Sequence, residues 1–405
     1  MLNTPVPTAS RPLSWVGRSG AWLAIGTSPG AFVLGAQLAN RHGGAIPVAG
    51  LLIGAAAMGA LLYLQGRLGL TRAPGVGLSF VAMTRGYLGT GSRRVLGIAI
   101  AVSVTGWVAF ATGIGAESTT RLTGASQMSG SLCLGGIVLA LALIGINRWN
   151  GVAAITTVTT LVLAVLVIAV LDDRQAPVSL TVPAPHHALV DISVLIGYIA
   201  VFSVRAPDFT QGMTRRLDVV ASIALLILPA LALCLVGAEL YLVAGAQDGE
   251  ALASMASVQV MGVGVGDMLL VIAIVAPAVT STYSGGLALQ IFTGSSLRTG
   301  ILAVTGLSVT AAALNFQDHL IPYLMLVAAA LPPAALPFSV EAWARRRGAT
   351  PRLIPWWTWA PGSALGGVVF IVGGAVAPLA ALTVAVGCTL TYATLRHREL
   401  PAASR

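Results

Sequence analysis

The sequence predicts an all-α polytopic membrane protein with twelve transmembrane helices, on three observations. The chain is 56% hydrophobic and 9% charged, with a mean hydropathy of +0.89. That leaves too little polar surface to coat a soluble globule of 405 residues. Its apolar stretches recur at the length needed to cross a hydrocarbon core, about 20 residues each. All 22 basic residues are arginines, and all but Arg41, Arg121 and Arg174 fall in alternate gaps between those stretches. Cytoplasmic loops carry the excess of Lys and Arg. The alternation therefore predicts cytoplasmic N- and C-termini, an even number of spans and a place in the cytoplasmic (inner) membrane. The same bias accounts for the net charge of +9, and without a basic tail interleaved with aromatics no nucleic acid is expected as a partner.

Residues 1–20 read as a cytoplasmic tail with no signal-peptide core or cleavage site. Spans are expected near 21–39, 45–66, 94–116, 130–147, 151–171, 188–206, 219–244, 267–292, 300–315, 319–340, 358–376 and 378–396, with a second cytoplasmic tail at 397–405. Between the second and third, Val76 to Tyr87 is spaced like a helix face but is too short to span, so an interfacial helix is expected there. Spans one to five (21–171) and six to ten (188–340) are nearly equal in length, and 358–396 adds two accessory helices. A half with an odd number of spans makes its second copy enter the membrane from the other side, so five plus five is an inverted repeat. Gly26-Thr27-Ser28-Pro29-Gly30 is expected to break the first span, and Ser203 to Pro207 to disturb the sixth. Unwound backbone at membrane depth survives only where it is buried in protein or lines a wet cavity, and its half-helix ends can hold an ion or a substrate dipole.

Several chemistries are excluded. With no lysine in these 405 residues, there is no Walker A loop and no Schiff-base residue. Cys133, Cys234 and Cys388 sit singly in apolar stretches and read as buried thiols. His42, His186, His187, His319 and His397 all fall in loops, so no intramembrane haem or zinc site is expected, and no cofactor. Asp172-Asp173 is not the paired Asp-rich motif of prenyl transfer, and no enzyme is expected. Glu239 of the seventh span and Glu117, Asp191 and Asp267 lie near the outer ends of spans, where solvated or snorkelling positions are expected, while Asp208 and Glu341 stand beside cytoplasmic arginines and are expected to pin loops.

Five stretches resemble the nucleobase:cation symporter family of cytosine, purine and hydantoin permeases. They are Leu62-Tyr-Leu-Gln-Gly-Arg-Leu-Gly-Leu-Thr71 with Arg85-Gly-Tyr-Leu-Gly-Thr-Gly-Ser92, Thr105-Gly-Trp107, Ala206-Pro-Asp-Phe209, Tyr283-Ser-Gly-Gly-Leu287 with Thr293-Gly-Ser-Ser296, and Leu331-Pro-Pro333 with Glu341 and Arg345 to Arg347. The resemblance implies a leucine-transporter-like fold and a secondary active transporter (permease) that carries a nucleobase or related small heterocycle by alternating access. It places the substrate among helices 1, 3, 6 and 8. Trp107 matches the family's stacking tryptophan. Tyr198 and Phe202 are candidates for its second aromatic contact, and Ser203, Ser28, Gly30 and Thr282 for further lining.

Departures accompany the likeness. Val104 and Ala111 stand where relatives carry an amide that reads a base's edge. Ala276-Pro277 replaces the paired hydroxyls of sodium-coupled members, so the coupling ion is left between proton and sodium, with Thr280 and Ser281 as a possible shifted sodium site. These departures keep an alternative open: a transporter-like sensor or binding protein without coupled flux. Oligomeric state is not legible.

Overall fold

In the computed structural model, the described residues are 14–43, 45–70, 79–145, 149–171, 185–244, 259–260, 263–374 and 376–400. Arg72, Arg148, Asp172, Asp173, Arg174 and most of both tails lie outside them. The first span is α1 (Ser19–Gly26) and α2 (Gly30–Arg41). Then come α3 (Val48–Gly66), the short α4 (Phe80–Tyr87), α5 (Thr90–Thr123), α6 (Gln127–Ile144), α7 (Trp149–Leu171), α8 (Pro185–Thr210) and α9 (Arg216–Ala244). A hairpin of two-residue strands, β1 (Gln259–Val260) and β2 (Val263–Gly264), precedes α10 (Val265–Ala273) and α11 (Val275–Thr293). The chain ends with α12 (Leu297–Ala313), α13 (Leu320–Ala330), α14 (Pro332–Arg346), α15 (Ala360–Ile371) and α16 (Ala377–Arg398). Among the described residues nine helical stretches are long and apolar enough to cross a membrane, and α12 and α15 are shorter apolar helices.

Proline chemistry decides where the helices break. Pro277 has no N–H for the carbonyl of Ala273, and the eighth span divides there, between α10 and α11. Pro332-Pro333 divides the tenth at Leu331 in the same way. The sixth span corrects the expectation: α8 runs unbroken through Pro207 to Thr210. Its last turn is held from outside the ladder, since Thr210 Oγ1 donates to Gly66 O at 2.6 Å and Asp208 anchors both Arg205 and the start of α4.

Two blocks of four spans each result. One packs α1 and α2 against α9, and α3 against α8 and α9; the other packs α5, α6, α11 and α12 on one another. The pairings recur when each span is exchanged for the one five later: α2 on α9 corresponds to α8 on α3, α5 on α6 to α11 on α12, and α1 on α7 to α8 on α13. Within the first block backbones touch. A Cβ on Gly35 of α2 would stand 1.8 Å from Cys234 O of α9, and one on Gly237 of α9 would stand 2.0 Å from Phe32 O of α2. Small residues permit this close approach, which is how helices associate without a hydrophobic drive between them.

One turn is built twice. Thr123-Gly-Ala-Ser126 joins α5 to α6, and Thr293-Gly-Ser-Ser296 joins α11 to α12. In each the glycine ends a helix at φ 70°, and the serine caps the next by accepting from the backbone N–H three residues on. In each the threonine hydroxyl donates back four residues, Thr123 to Thr119 O and Thr293 to Leu289 O.

Candidate functional site

The break in the first span is local and well satisfied. Thr27 Oγ1 donates to Leu23 O at 2.7 Å, and Ser28 Oγ accepts from Gly30 N at 3.3 Å. The Ile25 carbonyl beside the break accepts from Ser28 N at 3.2 Å and from the Tyr198 hydroxyl at 2.7 Å. A cavity lies next to this point, between the two blocks. The first block contributes Ile25 of α1 and Gly197, Tyr198, Val201, Phe202 and Arg205 of α8; the second contributes Val104 and Trp107 of α5 and Thr280, Ser281 and Ser284 of α11; Tyr323 of α13 closes one side. The free volume is small, about 30 Å³, room for about two or three waters. A ring-sized ligand enters only after lining side chains move.

Its aromatic wall is mutually braced. Trp107 meets Tyr198 edge-on at 5.2 Å between centroids and Phe110 at 5.6 Å. Phe202 stacks on Phe209 at 4.5 Å and takes the edge of Trp22 at 4.9 Å. The Trp107 indole Nε1 is buried without a hydrogen-bond partner, a donor left available within a dry aromatic site.

Five of the sequence-derived candidates are brought together: Trp107, Tyr198, Phe202, Thr280 and Ser281 all line the cavity. The other four are not on that wall. Ser203 is fully buried and donates to Ala200 O at 2.8 Å, back-bonding to its own helix. Ser28 is occupied in the helix break. Gly30 backs the aromatic wall, where a Cβ would lie 3.0 Å from Phe110 and 3.3 Å from Trp107. Thr282 is fully buried with an unpartnered hydroxyl.

Arg205 was missed by charge counting, which places it in a cytoplasmic gap. It lies inside α8, 2% exposed, with its guanidinium at the cavity. Nε and Nη2 donate to Asp208 Oδ2, at 2.9 and 2.5 Å, and Nη1 donates across the block boundary to the Ser284 carbonyl. Asp208 Oδ1 accepts from Phe80 N at 2.7 Å, tying α8 to α4. The signal was present as helical spacing: Tyr198, Val201, Phe202 and Arg205 stand at i, i+3, i+4 and i+7 on one face. Tyr323 was missed too; its hydroxyl donates to Ser103 O, a pairing no local pattern reveals.

Where the first, fifth and eighth spans meet, Ala24, Ala153 and Ala276 form a buried apolar cluster with Val152 packed on it. Among the described residues no group of three His, Cys, Asp or Glu side chains could hold a metal ion. Asp191 and Asp267 correct the expectation of solvated ends: both are buried, Asp191 against His42 and Asp267 against Arg121, at 2.8 Å each.

No family model matches the chain, and no curated protein matches it. Solved structures do. Mhp1, a nucleobase-cation-symport-1 family transporter, in a closed conformation with bromovinylhydantoin bound, is 17% identical over 97% of this chain and 95% of that one, with a TM-score of 0.74. Its inward-facing conformation gives 0.66 at 16% identity, over 95% and 93% of the two chains. A manganese transporter of Eremococcus coleocola gives 0.59 at 13% identity over 98% and 97%, and a sodium-coupled sialic acid symporter, substrate-bound and outward-open, 0.56 at 12% over 95% and 90%. The chain is thus a multi-pass, predominantly helical membrane protein with the leucine-transporter-like fold of Mhp1.

Proposed function

We propose that the protein is a secondary active transporter that carries a nucleobase or related small heterocycle across the cytoplasmic (inner) membrane by alternating access, with both termini in the cytoplasm. One observation carries this: the aromatic-walled cavity sits between two separately packed blocks of four spans, beside a break in the first span. Relative motion of the blocks exposes such a site to one face and then the other. The fold shared with Mhp1, whose ligand is bromovinylhydantoin, supports a flat ring as cargo. Trp107, Tyr198 and Phe202 supply faces and edges for it, and Thr280, Ser281 and Ser284 supply hydroxyls. Val104 on the cavity wall offers no amide, which favours a cargo with few edge groups to be read on that side.

The alanine cluster at the first, fifth and eighth spans disfavours a sodium ion there, since a hard cation needs an all-oxygen cage. The same cluster is the observation behind a second reading, a binding protein without coupled flux.

The test is uptake of labelled nucleobases, hydantoins and amino acids into proteoliposomes, with sodium and pH gradients imposed separately. Flux of a ring compound supports the transporter, and saturable binding with no flux in either gradient supports the second reading. Trp107→Ala is expected to remove a stacking contact worth about 1–3 kcal/mol, raising the half-saturating concentration roughly 5- to 150-fold. Unchanged uptake kinetics in that variant would take Trp107 out of the site.

A further inference from the structure

We propose that His42 and Asp191 form a proton-binding site at the outer junction of the first and sixth spans, and that the proton bound there is the coupling ion. The inference rests on the transporter reading above.

The geometry is that of a buried, incompletely paired carboxylate. His42 caps the end of α2, and its Nε2 lies 2.8 Å from Asp191 Oδ2 in α8. The side chains are 5% and 0% exposed. Asp191 Oδ1 has no hydrogen-bond partner. Helix α3 walls the carboxylate with Gly50, where a Cβ would fall 2.9 Å from Oδ2, and brings it no donor side chain. The charged and titratable groups facing Asp191 are His42 and Arg41 from the end of α2 and His187 from its own helix. The His187 ring lies 5.2 Å from that of His42.

The other buried carboxylates differ in their partners. Asp267 is held by Arg121, and Glu341 by Arg345 and Arg396, cations that keep their charge at any physiological pH. Asp191 is paired with a histidine, the side chain that changes charge between about pH 5 and 8. With His42 neutral and Asp191 ionised, the pair holds a net negative charge in a dry site, which is costly. A proton shared between Nε2 and Oδ2 makes the pair neutral overall. Proton binding therefore stabilises the packed junction of α2, α3 and α8, and proton loss favours one open to water. Because α8 also carries Tyr198, Phe202 and Arg205, the occupancy of this site bears on the helix that lines the cavity.

The test compares two assays of the full-length protein in proteoliposomes, using a panel compound that the wild type exchanges. Counterflow of that compound at equal pH needs no net proton movement, whereas accumulation against its gradient does. One pH unit supports about tenfold accumulation per proton carried. Wild type is expected to approach that limit with sodium absent. Asp191→Asn and His42→Gln are expected to exchange within about twofold of wild type but to stop at equal concentrations on the two sides. Arg121→Gln, which breaks a different outer ion pair, is expected to accumulate normally, and either single variant suffices if the other fails to fold. Tenfold accumulation by Asp191→Asn or by His42→Gln overturns the site. Accumulation by wild type that follows sodium and ignores pH overturns proton coupling and leaves the transporter reading standing. A wild type that exchanges no panel compound overturns that reading, and the coupling role with it.

Discussion

Arg205→Ala is expected to destabilise the protein by about 3–5 kcal/mol and to abolish uptake. The guanidinium is 2% exposed, and deleting it takes from Asp208, whose side chain is 14% exposed, its ion-pair partner and leaves the hydrogen bond from Phe80 N. It also removes the hydrogen bond that crosses from α8 to the Ser284 carbonyl of α11, at the seam that the proposed cycle would open and close. Arg205→Lys separates these effects. An ammonium keeps the charge but lacks the planar fork that reaches Asp208 and Ser284 together, so this variant should recover much of the stability and little of the transport. Removing both charges, Arg205→Met with Asp208→Asn, should be more stable than Arg205→Ala, because no unpaired ion remains. Thermal unfolding in one fixed detergent and counterflow in liposomes read the two quantities. Normal counterflow in Arg205→Ala would show that the arginine only braces the helix.

Glu341→Ala is expected to loosen the C-terminal end of the bundle by a similar amount. Glu341 is fully buried. It accepts from Tyr392 Oη at 2.6 Å, Arg345 Nε at 2.7 Å and Arg352 N at 3.0 Å, and pairs with Arg396 at 2.9 Å. Arg396, 1% exposed, would keep Glu399 and the Thr350 carbonyl as acceptors but lose its buried counter-charge. The loss of one side of a buried pair costs about 3–5 kcal/mol. The change should register as faster thiol labelling of Cys388 in α16, since Tyr392 and Arg396 tie that helix to α14. Glu341→Gln keeps the shape and some of the acceptors and should cost about 1–3 kcal/mol. Because the cluster lies away from the cavity-lining residues, substrate affinity at temperatures well below unfolding should be unchanged in both variants. An affinity change would mean that the last helices bias the transport cycle.

These two arginine-centred sites show what a linear reading captures and what it misses. Apolar length describes a bilayer's demand on each segment separately, so the helices were legible, mostly to within a few residues of their ends. α5 exceeded its expected range because polar residues from Glu117 to Thr123 continue a helix beyond hydrocarbon without penalty. Charge counting assigns a side but not a depth, and Arg205 fell through that gap. Pro207 was read as a disturbance because proline removes a helical donor, yet contacts from α3 and α4 hold the turn together. Trp107, Tyr198 and Phe202 were named through the resemblance to the symporter family, and the structure places all three on the cavity wall. The His42–Asp191 pair was not, since it joins residues far apart in the chain that only the crossing of α2 and α8 brings together. The doubled Thr-Gly-x-Ser turn was visible as letters, but its meaning as one cap on opposite ends of an inverted pair needed the backbone angles.

The contracted cavity has a thermodynamic consequence for anything that binds there. A conformation with room for only a few waters excludes a ring-sized ligand, so binding draws on conformers in which the blocks stand further apart. Measured affinity is then the intrinsic affinity scaled down by the fraction of molecules already dilated. A tight-fitting ring will thus seem to bind more weakly than its buried area implies, the difference being the work of prising α8 away from α5 and α11. Dissociation constants compared across a ligand series should therefore track how far each ligand wedges the blocks apart as closely as they track the contacts it makes.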